Sequence, residues 1–595
     1  MNGRINALRS EMEREGIDCW LAPSGDPHLS EYVADHDKTR AWLSGFSGSA
    51  GVLLVTPAES LLWTDGRYFV QAEKELSGTG TRLMKMNTPG YPSVVEWLEK
   101  NLAEGSVLGL DARLYAAATL KEYEKRLAVR NIAIRGDLDL PDRIWPDRPA
   151  VPATPVFVHE VLYAGLAPAE KIAGIRARMA DERVGQYLVS ALDCIAWIFN
   201  LRGADVKNNP FTIAYARIGA EDVTLFVDGA KLDEAVRVHL ASNGVTVAPY
   251  DAVLPAIAEL PSGTRVAYDP KRTNAALARA LPAGCEAVET EDFAMKAKAL
   301  KNAVEVDCLR RCHARDGAAM VRFLMWLEKA VADMAAGGEP VTELDVMDTL
   351  RTLRAALPLN RGESFDTIAA YGPNAAMMHY TATEESHAVL EPKGLLLVDC
   401  GGQYLDGTTD TTRTVALGPI SDEERRCCTL TLKSHIALAR AIFLEGSTGS
   451  NLDVLARMPM WQQGMDYKCG TGHGVGFFLS VHEGPQGFSQ AHNPNKLEPG
   501  MILTNEPGVY KAGRFGIRTE NTMLVVPAFE TEDGSFRKFD VISCCPIDVR
   551  TLDLGMLTQE ERAWLNDYHA FVQTQVAPHL DAAEAAWLAV AAAAV

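Results

Sequence analysis

The sequence predicts two small α/β domains followed by a larger α+β domain of Gly-rich strands behind one long helix. Three observations carry this reading. Two segments share a helical pattern at a constant offset of 167, Ile5, Leu8, Arg9 and Met12 against Ile172, Ile175, Arg176 and Met179. Each continues in alternating strand and helix signals. Near residue 300 the composition changes, after which Gly-rich apolar runs dominate.

Taken in order, the first helix pattern leads into the short strand DCWLAP, then GVLLVT and SLLWTDGRYFVQAEKEL, strands followed by an amphipathic helix. The second repeats the plan with QYLVSAL and DVTLFVDGAKLDEAVRVHL. Pro-rich DLPDRIWPDRPAVPATPV, residues 139–156, reads as the link between them. The expected domains are 1–155, 156–300, 301–545 and a C-terminal extension, 546–595. In the third, Val304, Leu309, Cys312, Met320, Phe323, Leu324 and Leu327 form an apolar helical stripe, with RR and RD on the other face. The terminal AAEAAWLAVAAAAV reads as a helical tail.

Composition narrows the function. With 595 residues, 47% hydrophobic and 23% charged, the chain is that of a globular protein of three or four domains. A formal net charge of -20 without a basic block argues against nucleic acid and anionic membranes as partners. No apolar run approaches the roughly 20 residues that span a bilayer, and the charged N-terminus is unlike a signal peptide, so a cytoplasmic location is expected. The 11 cysteines show no CxxC spacing, which fits reduced thiols better than a disulfide framework or structural zinc.

The chemistry concentrates in the third region. In VDCGGQYLDGTTDTTRT, Asp399 and Asp410 stand eleven positions apart after the apolar run Leu395 to Val398. A turn at Asp406-Gly407 would set Asp410 opposite Gln403, too far from Asp399 to share a metal pair. A reversal near Tyr404-Leu405, or a bulge, would make the two aspartates direct neighbours. In ILTNEPGVYKAGRFGIRTEN, Glu506 and Glu520 lie fourteen apart about Gly513, so a three-residue loop sets them opposite each other. Between these hairpins His473 sits among glycines in GTGHGVG. Four carboxylates and a histidine make an oxygen-rich donor set suited to two divalent cations such as manganese or cobalt, and less typical of structural zinc. Carboxylates brought together in low dielectric need a shared proton or a cation.

The spacing and contexts of Asp399, Asp410, His473, Glu506 (NEPG) and Glu520 (GIRTEN) closely resemble aminopeptidase P, an X-Pro aminopeptidase with the pita-bread metallopeptidase fold. The resemblance extends over nearly the whole chain: SEYVADHDKTRAWLSGFSGSAG and ALDCIAWIFNLRGADVKNNP are similar to its two creatinase-like N-terminal domains, and LTQEERAWLNDYH to its C-terminal extension. It implies that the five residues bind two divalent metal ions, usually Mn2+, with Co2+ or Zn2+ as alternatives. Asp410 and Glu520 would bridge the ions, Asp399 would chelate one, and His473 with Glu506 would hold the other. His379 and His482 match the family's histidines beside the scissile peptide, and Arg518 an arginine that supports the metal carboxylates. Relatives usually carry another pocket histidine where Cys469 stands, so a changed peptide preference or pH profile is expected.

The implied activity is removal of the N-terminal residue from peptides with proline in second position, by a hydroxide bridging the two metals, with Glu506 moving its proton. A homodimer is implied as well. Three other readings of the same fold are a prolidase-type dipeptidase, a creatinase-like hydrolase, which lacks the metal ligands that are all present here, and a non-catalytic binding module.

Overall fold

A computed structural model describes residues 2–595, and the chain folds as two compact units. One runs up to Val161 and includes Leu166–Met295; the other comprises Leu162–Gly165 and Lys296–Val595.

The first unit contains two six-stranded sheets of one topology. In sheet order the first is Thr81–Lys85, Ser60–Thr64, Val52–Val55, Cys19–Pro23, Val107–Gly109 and Ala133–Arg135. The second is Thr246–Ala248, Val223–Val227, Ala214–Gly219, Gln186–Val189, Arg265–Tyr268 and Glu286–Glu289. Pairing senses also agree: in each order the second and third strands and the third and fourth pair antiparallel, and the other three pairings are parallel. The helices Asn2–Glu15 and Pro168–Asp181 precede the two copies and bury the apolar positions that the sequence pairs, Ile5, Leu8 and Met12 against Ile172, Ile175 and Met179. An internal repeat is thus visible in strand order and sense, which a shared helical pattern alone could not carry. The Pro-rich segment is only partly a link. Leu140–Ile144 is a short helix capped by Asp139, and Trp145 stacks on Trp42 at 4.8 Å.

The second unit is organised around Ala303–Ala335, a 33-residue helix whose first turn is closed by a reciprocal Asn302/Glu305 cap. Its polar pattern departs from the sequence reading. Arg310 and Arg311 lie on the outer side, but Arg315 and Asp316 are buried, as are His313 and the run Ala314 to Val321. The helix is enclosed there by three elements that pack on it: the helix Glu343–Ala355, the tip of a hairpin at 399–412, and the C-terminal helices. Beside it stand a three-stranded sheet holding Leu395–Cys400 and Thr411–Ala416, and a six-stranded sheet holding Gly472–Gly474, Ile502–Asn505 and Asn521–Thr531. The tail forms the helix Ala582–Ala591, which docks on the long helix through an Arg322–Glu584 ion pair and Trp587 Nε1 donating to Glu328. Among the described residues the cysteines form no disulfide, and no helix is long and apolar enough to cross a membrane.

Candidate metal centre

The first acidic hairpin turns where neither sequence alternative put it. Asp399 lies opposite Thr412 and Cys400 opposite Thr411, and the same register resumes with Gln403 opposite Thr408 and Tyr404 opposite Gly407. The reversal therefore falls on Leu405-Asp406. Asp399 and Asp410 become diagonal neighbours on one face, since Thr412 is the direct partner and Asp410 lies two residues before it. Between the ladder segments a Cβ at Gly401 would overlap Thr409 O, so only glycine lets the strands approach there.

The long helix explains the turn. Arg315 holds both oxygens of Asp406, one at 3.1 Å from Nη1. Tyr404 OH donates to Asp316 Oδ1 at 2.6 Å, and Arg354 Nε donates to the same oxygen at 2.8 Å. With Asp406 drawn to Arg315 and Tyr404 to Asp316, the register is fixed from outside the hairpin, and the favourable turn propensity of Asp406-Gly407 is overridden.

The second hairpin follows its spacing. Gly508 lies opposite Arg518 and Lys511 opposite Phe515, closed by a three-residue loop in which Gly513 takes φ +72°. On the other side Asn505 lies opposite Asn521 in the same register, which carries Glu506 opposite Glu520 where one ladder hands over to the other.

His473, on the short strand Gly472–Gly474, hydrogen-bonds through Nδ1 to Gly474 O at 2.9 Å. That bond directs Nε2 at the carboxylates, 3.4 Å from Asp410 Oδ2 and 3.5 Å from Glu506 Oε1. Asp410, His473 and Glu520 each offer a donor atom, all within 4.8 Å of one another. Asp399, Asp410 and Glu520 are buried, whereas His473 and Glu506 are half-buried at the rim.

The electrostatics are those of a cation site. Burial pushes Asp399 up to about 6, with Asp410 and Glu506 adding to it against the opposing Arg518 guanidinium. Burial, then Asp410, Asp399 and Glu506, drives Glu520 well above the carboxylate range. Burial alone would lower His473, but its bond to Asp410 and the charge of Glu506 bring it up to about 9. Asp399 Oδ1 is buried with no hydrogen-bond partner, while its other oxygen accepts from Arg518. A hard, oxygen-rich donor set with one orphaned carboxylate oxygen fits divalent cations.

The outer residues lie as follows. The His482 ring meets that of His473 edge-on, with centroids 4.2 Å apart. The next residue, Glu483, is fully buried and accepts from both Lys298 and Lys301. His379 is half-buried, three residues beyond the turn Gly372–Ala376, which packs so closely on Phe515–Arg518 that a Cβ at Gly516 would overlap Ala375 O. Cys469 is half-buried. Its carbonyl accepts from Arg457 at 2.8 Å, and burial with the Glu506 charge pushes its thiol up to about 12. Arg518 Nε donates to Thr412 Oγ1 at 3.1 Å, and that hydroxyl donates to Glu520 Oε2 at 2.6 Å. Arg518 Nη1 donates to Tyr510 OH at 2.7 Å.

Sequence reasoning missed Thr412, Tyr510 and the two lysines on Glu483. The alternation of strand faces carries a signal for the first two: Thr412 shares a face with Asp410, and Tyr510 lies diagonal to Arg518. Lys298 and Lys301 left none, because a lysine pair in one dimension reads as solvated surface.

A sequence model of metallopeptidase family M24 matches residues 307–527, and models of the creatinase/prolidase N-terminal domain match 4–138 and 147–305. The C-terminal region of peptidase M24 matches 535–595. A probable Xaa-Pro aminopeptidase P from Coprinopsis cinerea is 39% identical over 97% of this chain and 95% of its own. The chain belongs to metallopeptidase family M24. Among its M24 relatives, aminopeptidase P1 of Arabidopsis thaliana is 37% identical over 99% of this chain and 98% of its own. The crystal structure of X-prolyl aminopeptidase from Caenorhabditis elegans, described as a cytosolic enzyme with a di-nuclear active site, superposes with a TM-score of 0.94. It shares 36% identity and covers 100% of this chain and 99% of its own.

Proposed function

We propose that the chain is a metal-dependent Xaa-Pro aminopeptidase, removing the first residue of peptides whose second residue is proline. The observation that carries this reading is the convergence of Asp410, His473 and Glu520, flanked by Asp399 and Glu506, in a chain that is similar to Xaa-Pro aminopeptidases along its length. Asp399, Asp410, His473, Glu506 and Glu520 would hold two divalent cations, with Mn2+ the choice for this oxygen-rich set. Such a pair supplies Lewis acidity and lowers the pKa of water.

The protein's own groups do the rest. Glu506, at the half-buried rim, accepts the proton of the attacking water on a carboxylate oxygen and passes it to the proline nitrogen. That nitrogen leaves a tertiary amide and carries no N–H of its own, so it must be protonated to depart. His482, packed on His473, and His379 are the donors we assign to the carbonyl oxygen and the peptide beyond it. Arg518 holds Asp399 and, through Thr412, Glu520, so that the carboxylates keep their places when substrate arrives. Cys469, close enough to Glu506 to feel its charge, is the residue we assign to the same pocket, where its protonated thiol would offer a weak donor.

We also assign a cytosolic location, supported by the description of the Caenorhabditis elegans enzyme, and a homodimer, which light scattering on the eluted protein reads directly. The substrate test is hydrolysis of Arg-Pro-Pro, Arg-Ala-Ala and Ala-Pro by the Mn2+-loaded protein. Release of arginine from Arg-Pro-Pro alone, or from it well above the others, is the expected result. Cleavage confined to Ala-Pro would make the enzyme a dipeptidase instead.

A further inference from the structure

Asp410 and Glu520 stand at the starts of strands that belong to different sheets, Thr411–Ala416 in the three-stranded sheet and Asn521–Thr531 in the six-stranded one. No ladder joins them, so the spacing of these two ligands must be set by something else. Side-chain and backbone bonds cross between them: Thr412 Oγ1 donates to Glu520 Oε2 at 2.6 Å, Glu520 N donates to Thr412 O at 3.2 Å, and Thr522 Oγ1 donates to Asp410 O at 3.2 Å.

Arg413 is the tie that reaches both strands and the C-terminal region at once. Its side chain is fully buried and forms no ion pair among the described residues, though the Glu520 charge acts on it. Taking a guanidinium out of water without a counter-ion is costly, so the donors must be well used. Nη1 donates to Thr412 O at 2.8 Å and to Glu520 O at 2.6 Å. Nη2 donates to Asn521 Oδ1 and Tyr568 OH at 2.8 Å and to Cys545 O at 2.6 Å, and Nε donates to Pro546 O at 3.0 Å. Half of these acceptors belong to the ligand-bearing strands and half to the C-terminal region. Tyr568, on the helix Gln559–Val576, completes the junction: its hydroxyl also donates to Cys545 O at 2.8 Å, and its ring stacks on Trp564 at 5.4 Å. Asn521 is shared with His435, whose Nδ1 bonds Asn505 O at 3.0 Å beside Glu506.

We propose that Arg413 and Tyr568 are positioning residues for the metal centre, and that the C-terminal helix serves as the anchor that fixes the Asp410-to-Glu520 spacing. If packing alone were required at Arg413, an apolar side chain would fill the space at lower cost. A planar fork that reaches the backbone beside both ligands and a distant helix at once has a geometric task. The inference rests on the two-cation reading given above.

The test measures Mn2+ binding to metal-stripped full-length protein by titration calorimetry, with the thermal midpoint of the metal-free protein recorded alongside. Tyr568→Phe removes one oxygen and keeps the ring; Arg413→Lys keeps the charge and loses the fork. Both are expected to weaken Mn2+ binding about ten- to hundredfold, the size seen when groups behind metal ligands are altered. Leu565→Ala, on the same helix but in the apolar core, is the control: it should lower the metal-free midpoint while leaving Mn2+ affinity within about twofold. If Tyr568→Phe and Arg413→Lys bind Mn2+ as wild type does, or if Leu565→Ala weakens binding as much as they do, the proposal is overturned. A wild type that takes up no Mn2+ would instead overturn the metal reading beneath it.

Discussion

Cys469 stands four residues before His473, half-buried, with its carbonyl tied to Arg457 and its thiol held protonated by burial and by Glu506. A thiol is a weak donor, whereas histidine at this position could donate strongly and would titrate near neutrality. Cys469→His is therefore expected to change KM for Arg-Pro-Pro by about two- to tenfold, the worth of one hydrogen bond, and to move the acidic limb of the kcat/KM profile. Unchanged KM and an unchanged profile would remove Cys469 from the pocket's chemistry. The five proposed ligands stand out in the sequence by their order over two acidic segments and an intervening histidine, and by the family resemblance that this order carries. Their supporting residues do not, because Thr412, Tyr510, Lys298 and Lys301 are ordinary residues until the partner strand or the buried Glu483 stands beside them. Arg315 and Asp316 misled outright: opposite charges on a helix read as a solvated face, and here each meets its own buried partner.

At the scale of elements, the two hairpins contrast. The second was readable to the residue because Gly513 sits at its midpoint and nothing outside contests the turn. The first was not, because the clamp from the long helix moves the reversal to Leu405-Asp406 against local propensity. Asp406→Ala would leave the Arg315 guanidinium buried without its partner, and removing one member of such a pair costs about 3–5 kcal/mol. The measurement is a urea unfolding curve of the metal-free variant, with a lower midpoint and an unchanged slope expected. An unaltered midpoint would mean that the hairpin keeps its register without the clamp.

For the whole molecule, the repeat within the first unit and the enclosed long helix of the second follow from patterns that one sequence carries at different strengths. A shared helical motif pointed to the repeat, but only the identical strand order and sense display it. The burial of the long helix could not be read, since it depends on the C-terminal helices returning from more than 200 residues away. That packing has a consequence for pH. Burial lowers His313 to about 4, His435 to about 3 and His569 to about 4, with the Arg413 charge adding to the last two. In the unfolded chain these groups take protons near pH 6.5. Below that value the unfolded state binds more protons than the native one, so stability is lost progressively from about pH 6.5 down to about pH 3 to 4. Thermal midpoints recorded from pH 8 to pH 4 should fall across that window, and His569→Gln should flatten the fall. A midpoint that stays level to pH 4 would contradict the buried neutral histidines.

The central claim is that two divalent cations held by the two acidic hairpins make this chain an Xaa-Pro aminopeptidase. The most direct measurement is the metal content of wild type and Asp410→Ala after loading with Mn2+, paired with release of arginine from Arg-Pro-Pro by the same samples. Wild type should hold two ions per chain and cleave at the Arg-Pro bond, and the variant should hold at most one ion with cleavage abolished. Full cleavage by Asp410→Ala, or a wild type that cleaves with no metal bound, would contradict the claim.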